Sequence, residues 1–211
     1  MAAERARPHV HVMTSKMGPM GMPLRHSPAL RALGRVALRL AGWRIVGELP
    51  SIPKFVIVVA PHTSNWDFPI GVAAMFALDL DVTWLGKDSL FRGPHARVLR
   101  WLGGRPVKRD APEGLVAEVA AAVRDESRFI LALAPEGTRR RVDQWKTGFY
   151  RIAEAAGVPI VPVWLDWQRH EIGIGHPLMP AGAMEAEVAA LQSQYHPQMA
   201  RHPEKFWAGA T

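Results

Sequence analysis

From Phe55 onward the chain alternates short apolar runs with stretches whose apolar positions recur at helical spacing. Apolar runs of about four to eight residues bounded by turn signals read as buried strands, and the periodic stretches between them as helices. The pattern predicts strands over 55–60, 82–86, 105–108, 129–134 and 160–165, with helices at about 66–78, 90–102, 112–125 and 147–156. Gly157 followed by Pro159 is a stop signal for the last of these. Residues 171–175 predict an edge strand and 183–195 a final helix. This alternation is the signature of an α/β fold, here a single domain with a largely parallel sheet flanked by helices.

Ahead of the first strand, Ser27-Pro28 reads as an N-cap followed by proline at the first helical position, opening a helix that runs to about Gly42. Leu30, Leu33, Ala37 and Leu40 are expected on one face and Arg31, Arg35 and Arg39 on the other. Such a basic amphipathic helix suits an anionic lipid surface, or a place on the domain with its basic face in water. The preceding 26 residues hold Arg, His, Met, Gly and Pro without the apolar stretch of a secretory signal, and are expected to be a disordered arm. The chain thus divides into an arm over 1–26, the helix over 27–44, the main α/β domain over 45–182, and a C-terminal helix and tail over 183–211.

Composition narrows the function. The 211 residues are 48% hydrophobic and 21% charged, enough for a full core, and Arg, Asp, Pro and Gly interrupt every apolar run before it reaches membrane-spanning length. With no cysteine, disulfides, thiolate nucleophiles and Cys-bound metals are excluded. A net charge of +7 favours a polyanionic partner: nucleic acid, an anionic membrane or a phosphorylated substrate. The aromatic-and-basic strand pattern of an RNA reader is missing, which places nucleic acid last.

The most informative block is His62-Thr63-Ser64-Asn65-Trp66-Asp67, directly after the predicted strand 55–60. An aspartate in the first helical turn can fold back to hold one ring nitrogen of a histidine at the strand end, leaving the other for a substrate. That is a general base with its orienter. The other histidines lack ligand-like spacing. A second block, Ala134-Pro135-Glu136-Gly137-Thr138-Arg139-Arg140-Arg141, again follows a strand, and strand ends are where α/β sheets bind ligands. Its glycine allows close backbone approach, its threonine offers a hydroxyl, and its guanidinium groups suit phosphate oxygens. The third, Gly103-Gly104-Arg105-Pro106-Val107-Lys108-Arg109, is a glycine turn into a strand carrying cations. By itself it is weak evidence, since a strand edge carrying Arg and Lys is usually just solvated.

Together with Val158-Pro159-Ile160-Val161-Pro162, these blocks make the chain resemble the glycerolipid, or lysophospholipid, acyltransferase family, which carries four such blocks in this order. The resemblance covers about residues 40–180 and departs from the pattern at Pro61, where many members have Asn. It implies that His62 is the catalytic base and Asp67 its orienter, that Arg109 and Arg139 bind phosphate, and that Glu136, Gly137 and Thr138 shape the acceptor site. The implied reaction moves a fatty acyl group from acyl-CoA or acyl carrier protein to the hydroxyl of a lysophospholipid such as 1-acylglycerol 3-phosphate. No metal or organic cofactor is implied. The expected location is cytoplasmic, peripheral on the inner face of a membrane. Rival readings are transfer to another lysolipid such as an aminoacyl lipid, hydrolysis of the acyl thioester, and non-enzymatic binding to membranes.

Overall fold

Residues 21–107, 112–207 and 209 are described in a computed structural model of the chain; the arm up to residue 20, with Lys108 and Arg109, lies outside them. A seven-stranded sheet runs through the centre in the order β1-β7-β6-β2-β5-β3-β4. Its strands are β1 (Arg44–Val46), β2 (Lys54–Ala60), β3 (Thr83–Lys87), β4 (Gly104–Val107), β5 (Phe129–Leu133), β6 (Ile160–Asp166) and β7 (Glu171–Ile174). All neighbours pair in parallel except β6 with β7. The helices are α1 (Pro28–Leu40), α2 (Asp67–Ala77), α3 (Ala96–Trp101), α4 (Pro112–Asp125), α5 (Gly148–Ala156) and α6 (Met184–Gln192).

Period-2 alternation along β2 decides what packs where. Phe55 and Ile57 enter one core with Leu38 of α1 and Ile70, Ala74 and Phe76 of α2. Val56, Val58 and Ala60 enter the other with Val123 of α4, Phe149 and Ile152 of α5, and Leu191 of α6. Because β2 is apolar on both faces, it takes a central place in the sheet, where helices cover both sides. The tail continues the second core: Tyr195, Phe206 and Trp207 pack around Trp145, whose ring centroid lies 5.4 Å from that of Tyr195 and 4.8 Å from that of Trp207.

Three expectations need correction. The helix expected over 90–102 is a 3-10 turn, Asp88–Phe91, followed by α3, because Gly93 at φ +88° and Pro94 break the helix between them. Residues 171–174 do not form the edge; β1, a short strand absent from the sequence reading, pairs outside β7 and takes it.

The faces of α1 also differ from the wheel drawn above. Gly34 lies so close to α2 that a Cβ there would meet Ala77 N at 2.4 Å and Ala73 O at 2.6 Å. The contact line therefore follows Leu30, Gly34 and Leu38, while Leu33, Val36 and Leu40 are exposed at 57%, 54% and 83%. Arg31 turns inwards to Asp79, at 3.2 Å, rather than joining a solvated stripe with Arg35 and Arg39. As the sequence predicts, Ser27 caps the helix by accepting the Leu30 N–H at 3.3 Å, with Pro28 at the first position.

Candidate active site

β2 and β5 are neighbours and parallel, so their C-terminal ends open on the same edge of the sheet. Fully buried Pro61 carries the chain out of β2, and His62 follows with its side chain 20% exposed. Asp67 starts α2, where the N-terminal N–H groups favour a carboxylate, and is buried. Its Oδ2 lies 3.1 Å from His62 Nδ1 and accepts the Ser64 N–H at 2.8 Å. Its Oδ1 accepts the indole N–H of Trp167 at 2.8 Å. With Nδ1 on Asp67, Nε2 is the nitrogen left to face a substrate. The turn is held further by the Trp66 N–H donating to Ser64 Oγ at 3.1 Å, and by the His202 N–H donating to Thr63 Oγ1 at 3.2 Å.

From β5 the chain enters a turn closed by the Gly137 N–H donating to Ala134 O at 3.0 Å, with Gly137 in the left-handed region at φ +64°. Glu136 faces inwards, 3% exposed, and its carboxyl oxygens accept the main-chain N–H of His62 at 2.9 and 3.1 Å. Burial pushes the Glu136 carboxyl up to about 8; the His62 N–H opposes that rise, and the charge of Asp67 adds to it. Nearby, the Tyr195 hydroxyl donates to Val58 O at 3.2 Å. Burial pushes that phenol up, with the charge of Glu136 contributing.

Thr138 is half-buried and accepts the Arg140 N–H at 3.3 Å, while Arg139 and Arg140 are exposed. Lys146, which returns to this turn by donating its N–H to Pro135 O at 2.8 Å, lays its stem across Gly137. A Cβ on Gly137 would meet Lys146 Cδ, Cε and Nζ at 3.2–3.3 Å. A side chain there would push the lysine stem aside by a few tenths of an ångström. Cations thus border the strand ends next to His62.

The other two blocks lie further off. β4 is three places from β2 in the sheet, which at the usual strand spacing is roughly 14 Å. Arg105 on β4 is exposed, and Arg109 is outside the described residues. Val158 to Pro162 lies at the opposite edge from His62, since Ile160 pairs with Val56 early in β2, and Ile160 and Val161 are fully buried. That block is core. The other end of β6 reaches the site, through Trp167.

Comparison with known proteins turns on this same stretch of chain: the family pattern named Acyltransferase matches residues 46–166. The chain belongs to the acyltransferase family. The match contains β2 through β6, with both His62–Asp67 and Glu136–Arg139. Among curated relatives, the 1-acyl-sn-glycerol-3-phosphate acyltransferase of Escherichia coli is 33% identical over 125 residues, covering 56% of this chain and 49% of that protein. Its namesake from Haemophilus influenzae is 28% identical over 145 residues, covering 64% of this chain and 59% of that protein. The chain thus spans about half the length of the Escherichia coli relative. Among solved structures, the 1-acyl-sn-glycerophosphate acyltransferase PlsC of Thermotoga maritima shares the fold, with a TM-score of 0.52 at 20% identity over 79% of this chain and 80% of that one.

Within this acyltransferase fold, sequence reasoning named His62, Asp67 and Glu136 but missed Trp167, which holds Asp67, and Lys146. Trp167 stands just past the end of β6, a strand next to β2, and that place is a usable signal for it. Lys146 stands nine positions beyond Gly137, and nothing local marks it.

Proposed function

We propose that the chain is an O-acyltransferase of the 1-acylglycerol-3-phosphate type, serving phospholipid synthesis. The observation that carries this reading is the His62–Asp67 pair, 3.1 Å apart, beside the Gly137–Arg139 turn at neighbouring strand ends. The names of the relatives support the choice of acceptor.

In the proposed reaction His62 Nε2 takes the proton of the acceptor hydroxyl as its oxygen attacks the carbonyl carbon of an acyl thioester. The tetrahedral intermediate collapses, the C–S bond breaks, and the departing thiolate receives the proton from the imidazolium. Asp67 keeps Nδ1 protonated and steadies the charge that forms on the ring. Such base catalysis contributes roughly 10²–10⁴-fold. The thioester is already activated and the alcohol is the nucleophile, so this route needs neither an acyl-enzyme nor a metal or organic cofactor. Arg139 serves the acceptor phosphate with Lys146 beside it at the rim, and the family resemblance gives Arg109 the same role. Glu136 sets the main chain of His62. The donor is acyl-CoA or acyl carrier protein.

The enzyme is proposed to work from the inner face of a membrane. Among the described residues no helix is long and apolar enough to cross one. Instead, α1 exposes Leu33, Val36 and Leu40 beside Arg35 and Arg39, which suits an interfacial helix on anionic lipid.

The test is transfer of labelled acyl groups from acyl-CoA and from acyl carrier protein to a panel of lysolipids, comparing the wild type with His62→Ala. Transfer to 1-acylglycerol 3-phosphate that vanishes in the variant is the expected result. Release of free acid at one rate with or without every acceptor would make the protein a thioesterase instead.

A further inference from the structure

Trp167 is the first residue beyond the segment that matches the family, yet it touches the catalytic pair. Asp67 has one oxygen engaged by His62 and the Ser64 N–H, and the other by the indole N–H of Trp167. A carboxylate on its own turns freely about its last torsion, which is broad and roughly two-fold. Fixing both oxygens fixes the plane. In a side chain that is 1% exposed, water does not replace a lost donor cheaply.

The half-buried indole is itself held by several contacts. Its edge packs against Trp43, with centroids 4.9 Å apart and planes at 86°, and Trp43 is buried in the core under the sheet. Its main-chain N–H donates to Met199 O at 2.9 Å. The guanidinium of Arg201 lies 4.5 Å from its ring centroid and 5.5 Å from that of Trp66, inside the catalytic turn. Residue 202 then donates to Thr63 in that turn. The tail beyond the matched segment therefore grips both ends of the His62–Asp67 turn, and the indole N–H is its point of contact with the reacting pair.

Building on the acyl-transfer reading above, we infer that Trp167 is a positioning residue for the reaction: its indole N–H holds the Asp67 carboxylate in the plane that presents Oδ2 to His62 Nδ1. Loss of that donor leaves Asp67 able to swing, so that His62 spends less time aligned with its acceptor. Substrate contacts are untouched.

Two measurements on the full chain test this. In ¹⁵N–¹H spectra, with the Trp167 indole resonance assigned through the backbone, Asp67→Asn is expected to move that resonance upfield and speed its solvent exchange. An unmoved indole resonance would overturn the assignment, and this arm is read whether or not any transferase activity is found. In steady-state kinetics, Trp167→Phe removes the donor and keeps an aromatic ring, a smaller one, against Trp43 and Arg201. It is expected to lower kcat roughly tenfold, the scale of one charge-assisted hydrogen bond, with KM for both substrates unchanged. In an Asp67→Asn background the same change should do nothing further. An active wild type with unchanged kcat in Trp167→Phe, or an undiminished effect in the Asn background, would overturn the inference. A wild type without transfer activity would instead defeat the functional reading and leave the spectra to decide the role of Trp167.

Discussion

The main-chain N–H of His62 points at both oxygens of the buried Glu136 carboxyl group, which reaches it from the neighbouring strand end. The side chain that would do the chemistry is thus set by its own backbone as much as by Asp67. Glu136→Gln keeps an acceptor oxygen of the same reach, and is expected to retain kcat within about threefold. Glu136→Ala leaves the N–H unpaired and opens a hole beside Tyr195. It should cost about tenfold or more in kcat and destabilise the fold by about 1–3 kcal/mol. Equal loss in both variants, measured by steady-state transfer, would mean that the carboxyl touches substrate.

The same group makes stability depend on pH. Buried, Glu136 holds its proton up to about 8, against an ordinary value of 4.5. Between those values the folded chain binds more protons than the unfolded one. Its contribution is fully present below 4.5 and is lost as pH rises to about 8, at up to about 1.4 kcal/mol per pH unit. Urea unfolding of wild type and Glu136→Gln at about pH 5 and about pH 8 checks the sign. The variant should gain on the wild type as pH rises, and a constant difference contradicts the assignment.

Asp67→Asn places an amide N–H₂ where only acceptors fit, since Ser64, Trp167 and His62 all point at the carboxylate. One donor must then face another. We expect kcat to fall by about 10²-fold or more from a misheld imidazole, and stability to fall by about 1–3 kcal/mol. Stopped-time transfer assays and thermal unfolding on one preparation separate the two losses.

Arg139 stands exposed at the rim, apart from the His62–Asp67 pair proposed to move the proton. Arg139→Ala should therefore raise KM for a phosphate-bearing acceptor by about tenfold while leaving KM for the acyl donor alone, and Arg139→Lys should recover only part because the fork is gone. Unchanged KM in both would remove Arg139 from the phosphate site.

The strand order along the chain, the apolar β2 and the spacing that brings Asp67 to His62 at its end were all legible in the sequence, because each rests on local periodicity or on residues a turn apart. What stayed hidden depends on pairing across long separations. β1 is a three-residue strand that exists only because β7 lies beside it. Trp167 reaches Asp67 across 100 positions, and Glu136 reaches His62 across 74. The faces of α1 were misassigned because a helical wheel weighs side chains, whereas Gly34 wins the contact by having none. Proximity to α2 outweighed the larger apolar area of Leu33 and Leu40.

That outcome leaves α1 with an apolar face turned to water, which is costly unless something covers it. Leu33, Val36 and Leu40 line one side, and Arg35 and Arg39 lie exposed beside them. On an anionic bilayer the leucines enter the interface while the arginines meet lipid phosphates. Leu33→Ser with Leu40→Ser should lower partitioning onto phosphatidylglycerol vesicles by about tenfold or more, from two side chains each worth about 1.5–3 kcal/mol when fully buried. Arg35→Gln with Arg39→Gln should weaken the same binding mainly at low salt, as screened charges require. Neither pair touches the core contact at Gly34 and Leu38, so thermal stability should hold. Vesicle sedimentation across a salt series reads both effects. Binding that survives all four changes would place the membrane contact elsewhere on the molecule.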